Sequence, residues 1–155
     1  VAEVAIYLAQ RLRKAGQAVN LDLVERAALL HDLDKIATLE GPVKHGEASA
    51  EFLRQQGYPA LAHIIERHLF GSHMYEYASW SWETLLVHYA DKLCIGTRVV
   101  TLDERLSDLA VRYPQFRHSF DHFEPLERQI ERMILKTTGL TPAEIAARWH
   151  NADAT

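Results

Sequence analysis

Cysteine is almost absent from these 155 residues. Cys94 is the single one, which excludes an intramolecular disulfide and any structural zinc site built on several thiolates. A reducing, cytoplasmic setting fits that usage. Basic runs are also lacking: 17 Lys and Arg against 21 Asp and Glu leave a net charge of −4 and a pI near 6.1. General nucleic-acid binding, which needs a basic excess or stripe, is therefore not expected. No apolar stretch approaches the ~20 residues a membrane helix requires. Nor does the N-terminal stretch have a basic region leading into a signal-type apolar run. No segment alternates apolar and polar residues in the manner of a strand, and no repeat or low-complexity tract appears.

What the sequence does have is apolar content, 48% of it, arranged at helical spacing. That suffices for one sizeable core and a single domain over residues 1–155. Val1, Val4, Ala5, Leu8 and Leu12 open directly into a 3.6-residue period with neither an initiator Met nor a cap ahead, so the chain is read as beginning within a longer protein. The period continues through 21–30, 48–53 and 61–65, punctuated by Gly16, by Gly41 and Pro42, and by Gly57 and Pro59. A long apolar helix is expected over 82–99. Thr101 with Glu104, and Thr141 with Glu144, predict capping boxes, and Phe123, Leu126, Ile130 and Met133 stripe a helix between them. The expected fold class is all-α. Residues 69–81, holding Phe70, His73, Tyr75, Tyr77 and Trp80 without a clear period, are expected to form an irregular functional loop.

Three polar residues sit where the pattern demands apolar ones. His31 and Asp32 follow Ala27-Ala28-Leu29-Leu30, and Asp91 is flanked by Leu85, Leu86, Val87, Tyr89, Ala90, Leu93, Cys94 and Ile95. An ionised carboxylate there needs a cation or a solvent-filled cleft to compensate its burial. A mixture of imidazole and carboxylate suits Mn, Fe, Zn, Ni or Co better than the all-oxygen sites of Mg and Ca.

The segment Ala27-Ala28-Leu29-Leu30-His31-Asp32-Leu33-Asp34-Lys35 resembles the central motif of the HD phosphohydrolase superfamily, and Ala90-Asp91-Lys92-Leu93 resembles its distal Asp motif. Between them, His45-Gly-Glu-Ala-Ser49-Ala50 and Ile64-Ile65-Glu-Arg-His68 are similar to the intervening His elements of HDIG-type members. The resemblance spans 1–99, with 100–155 as a helical extension that carries no family element. It implies a compact helical bundle with a metal site in its core cleft. His31, Asp32 and Asp91 would ligate one divalent metal, and Asp32 would bridge to a second held by His45 and His68. It further implies hydrolysis of a phosphate ester or anhydride by metal-activated water, with a small phosphorylated molecule, a nucleotide, as substrate. The same ligand set leaves open a diiron oxygenase, and an inactive nucleotide-binding or regulatory module.

The family pattern opens with a further His about one helix before the HD pair, and residues 1–30 contain none. Val1-Ala-Glu-Val-Ala is similar to the stretch that follows this His, which is therefore expected upstream. Lys35 either neutralises substrate phosphate or answers a helix C-terminal dipole. Asp34, where many relatives carry Gly, is assigned a minor role. His73 and His88 are expected to be structural or to support a ligand. Phe70, Tyr75, Tyr77 and Trp80 are expected to pack on the core rather than stack on a base, and His118, Asp121 and His122 are read as solvated.

Overall fold

The structure, a computed structural model, describes residues 1–38 and 45–150. The expected punctuation at Gly41 and Pro42 lies outside the described residues. The fold is all-α. Helices α1 (Ala2–Lys14) and α2 (Leu21–Leu30) are followed by a single turn, α3 (Lys35–Thr38), and by α4 (Glu47–Gln55) and α5 (Pro59–Ile65). Then come α6 (Trp82–Lys92), α7 (Leu102–Arg112), α8 (Arg117–Thr138) and α9 (Pro142–His150), with 3-10 helices at Ser72–Ser79 and Pro114–Phe116.

The sequence pattern explains why these elements assemble around α6. Helix α1 buries one face, Val4, Ala5, Leu8, Ala9 and Leu12, which is the i, i+4, i+8 stripe of an amphipathic helix. Asn20 caps α2 by accepting from the Leu23 N–H at 3.1 Å. Its Ala27 and Ala28 are buried and small enough for close approach to a neighbouring helix. Helix α6 is buried nearly all round, from Thr84 to Ala90 and again at Lys92, as a central helix must be. Helices α1, α2, α5 and α8 pack against it. The expected capping boxes are both present: Thr101 and Glu104 cap α7 reciprocally, and Thr141 and Glu144 do the same for α9.

Two expectations are corrected. The helix expected over 82–99 ends at Lys92, and Cys94–Ile95 (β1) pairs antiparallel with Arg98–Val99 (β2). Although the apolar run continues, Gly96 takes φ +59° at the first position of a two-residue turn, in keeping with a type II′ hairpin. The second correction concerns residues 69–81, which hold a 3-10 helix rather than an irregular loop. Met74 and Trp80 are buried, Phe70 and Tyr77 pack against the core, and Tyr75 alone of the four singled-out aromatics is exposed.

Candidate metal centre

The C-terminal ends of three helices, α2, α5 and α6, converge on one point. His31 is the C-cap of α2, and its Nδ1 donates to the Ala28 carbonyl at 2.7 Å. His68 lies just beyond α5, and its Nδ1 donates to the Ile65 carbonyl at 2.6 Å. The last carbonyls of a helix lack intrahelical partners, so each imidazole satisfies one while its tautomer is fixed. In both rings Nε2 then faces inward with a free lone pair, the arrangement a metal-binding His requires. The rings of His31 and His68 meet edge-on, with centroids 5.3 Å apart.

Asp32 stands between them, and its two oxygens face different neighbours. Oδ1 lies 2.8 Å from His45 Nε2 and 3.7 Å from His68 Nε2. Oδ2 lies 3.6 Å from His31 Nε2 and 2.6 Å from the Lys35 ammonium. From α6, Asp91 places Oδ1 3.6 Å from His31 Nε2. His45 Nε2 and His68 Nε2 are 3.3 Å apart. Ligand atoms sharing one ion at ~2.1 Å stand roughly 3 to 3.5 Å from each other, so the donor set fits a first-row divalent metal in both spacing and chemistry. Among the described residues, Asp32, His45 and His68 present ligand atoms all within 4.8 Å of one another.

All five sequence-predicted ligands, His31, Asp32, His45, His68 and Asp91, are thus brought together. Lys35 lies at the rim with its side chain 55% exposed. Asp34, expected to be minor, proves to be the anchor of His45. It is buried, accepts the Gly46 N–H at 2.9 and 3.0 Å and the Ser49 N–H at 2.9 Å, and accepts from His45 Nδ1 at 2.5 Å. One carboxylate therefore caps α4 and aims the imidazole. Gly46 makes this turn at φ +88°, and a Cβ there would stand 3.5 Å from the His68 ring.

The electrostatics follow from these contacts. Burial works to raise the Asp32 carboxyl, but the hydrogen bonds from His45 and Lys35 outweigh it and hold the group far below its usual range. Burial likewise opposes ionisation of Asp91, yet the Lys92 charge beside it keeps it well below the ordinary value. The two histidines diverge: the hydrogen bond to Asp32 raises His45, whereas burial lowers His68. His68 is thus held neutral and ready to ligate. His45 donates to a carboxylate from each nitrogen, and an ion taking Nε2 must displace a proton.

Other candidates lie elsewhere. His73 stacks on Trp80 and bonds to the Leu69 carbonyl. His88 turns away from Asp91, to the Arg67 carbonyl and to Glu127 on α8. His118, Asp121 and His122 are exposed. The sequence reading gave no role to Lys92, whose side chain is 2% exposed and whose ammonium bonds to Asp91 Oδ2 at 2.8 Å. A lysine inside the apolar run 84–95 was the available signal.

Comparison with known proteins agrees with this geometry. Residues 1–107 match the HD domain family. An uncharacterized protein of Methanocaldococcus jannaschii is 29% identical over 146 residues, covering 86% of this chain and 85% of its own length. No solved structure matches the chain.

Proposed function

This chain belongs to the HD domain family, and from that membership we propose that it is a metal-dependent phosphohydrolase that cleaves a phosphate ester or anhydride of a nucleotide. The observation that carries the reading is the division of the Asp32 carboxylate, with one oxygen toward His31 and the other toward His45 and His68. A bridging carboxylate between two ions needs that division. His31, Asp32 and Asp91 would hold one divalent ion, and Asp32, His45 and His68 a second, of the class Mn, Fe, Co, Ni or Zn. Bound there, such ions supply Lewis acidity toward a phosphoryl oxygen and a more acidic water.

The chain's own residues do the rest. His31 and His68 are oriented by backbone carbonyls, so their lone pairs need no reorganisation. In the metal-free chain Lys35 neutralises Asp32, and its exposed side chain is free to turn to a phosphate oxygen once that carboxylate is otherwise compensated. Leu29, Leu33 and Ile36, beside Asp32 and Lys35 in sequence, are exposed and offer apolar side chains to a base. In the family pattern an upstream His would complete the first ligand set.

The test is metal content by mass spectrometry, then release of inorganic phosphate from nucleoside mono- and triphosphates with the bound metal. Native protein is expected to hold one or two equivalents and to release phosphate, with both lost in Asp32→Ala. Iron with oxygen consumption and no phosphate release would overturn the reading in favour of an oxygenase. No metal after incubation with each candidate ion would overturn it altogether.

A further inference from the structure

Three side-chain hydrogen bonds hold the chain where α5 delivers His68. The Ile65 carbonyl accepts from His68 Nδ1, the Arg67 carbonyl from His88 Nδ1 at 2.8 Å, and the His68 carbonyl from Lys92 Nζ at 2.7 Å. His88 and Lys92 are four residues apart on α6 and therefore share one face. They clamp the two peptide units that carry His68. Lys92 is itself held by Asp91, within the centre. His88 is held from outside it: its Nε2 meets Glu127 Oε2 at 2.7 Å, and both side chains are fully buried. Glu127 Oε1 has no hydrogen-bond partner among the described residues, so the carboxylate's one hydrogen bond is to His88. Glu127 also lies on α8, beyond the residues that match the family.

We propose that Glu127 is a positioning residue of the metal centre, acting through His88 to fix the Arg67–His68 backbone and hence the direction of His68 Nε2. The inference rests on the reading of His68 as a ligand. Its physical basis is the hydrogen-bond inventory of imidazole. The Arg67 carbonyl only accepts, so His88 Nδ1 must carry hydrogen. A neutral imidazole left to itself can move that hydrogen to Nε2 and turn a lone pair toward the carbonyl. Glu127 prevents this, because a further hydrogen sits between its Oε2 and Nε2 and leaves Nδ1 as donor. Glutamine can do the same, its amide N–H donating to Nε2. Methionine, of similar size, cannot.

The whole 155-residue chain with Glu127→Gln and with Glu127→Met separates positioning from simple packing. Two measurements are made: Co(II) affinity from its visible absorption, and 15N resonances of the His68 ring in the metal-free protein. Removing a supporting partner of a metal ligand costs about 10- to 100-fold in affinity. Glu127→Met is expected to bind Co(II) about tenfold more weakly than native and to shift or broaden the His68 nitrogens. Glu127→Gln is expected to restore both. Should Glu127→Met not fold, His88→Leu with Glu127→Met removes both polar side chains and carries the same expectation. A folded Met or double variant with native His68 resonances overturns the proposal. So does a Gln variant as impaired as Met. Native protein that binds no Co(II) overturns the hydrolase reading instead, and the metal-free resonances still decide the role of Glu127.

Discussion

Lys92 Nζ donates to the backbone carbonyl of His68 at 2.7 Å, tying the end of α6 to the segment that follows α5. The same ammonium neutralises Asp91, so one cation serves a ligand's carboxylate and another ligand's backbone. A buried lysine is costly unless paired, and here both its partners belong to the candidate metal centre.

Replacing Lys92 by Met separates those duties. In metal-free protein, Asp91 loses its counter-charge and the His68 carbonyl its donor, which is expected to cost about 3 kcal/mol. A bound divalent ion compensates Asp91 but not the carbonyl. The difference from native should therefore fall to about 1 kcal/mol with excess Mn(II). Urea unfolding with chelator and with Mn(II) measures both, and equal stability of native and variant without metal would refute the account.

Asp34 gathers three backbone N–H bonds and the His45 ring onto one buried carboxylate. Asn at this position keeps the shape but presents an amide N–H to donors. The expected loss is about 2 kcal/mol, together with weaker binding of the ion held by His45 and His68. Thermal unfolding and metal stoichiometry check this. Native stoichiometry at limiting metal would mean that His45 is aimed by something else.

Much of this was legible before the structure. Helices α1, α2, α4 and α5 follow from apolar period, and α7 and α9 from their capping boxes, because these signals are local. His31, Asp32 and Asp91 stood out as polar residues among apolar neighbours. The end of α6 was hidden because residues 93–95, 99 and 100 keep the run apolar, and only Gly96 marks the turn. Glu127 was hidden for another reason. In the stretch Leu126-Glu127-Arg128-Gln129 it looks like a solvated helix face, and the packing of α8 on α6 buries it. Asp34 was undervalued because its partners at 45–49 lie more than ten residues away.

The last prediction concerns pH, through His45. Its hydrogen bond to Asp32 raises it above the ordinary 6.5, so the metal-free folded chain binds this proton more tightly than the unfolded chain. That contribution to stability is fully present below 6.5 and is lost as pH rises through the raised value. His68 behaves oppositely: lowered by burial, it contributes stability above 6.5 that is lost as pH falls. Asp32 and Asp91, both lowered from 3.8, add stability that fades only under acid conditions. Native protein should therefore exceed His45→Gln in metal-free stability by more at about pH 6 than at about pH 9. Metal binding should show the same proton from the other side. An ion at His45 Nε2 displaces it, so affinity should rise about tenfold per pH unit until the raised value is passed. Calorimetry in buffers of different ionisation enthalpy should count about one proton released by native protein, and fewer by His45→Gln. Equal release from both would remove His45 from the ligand set.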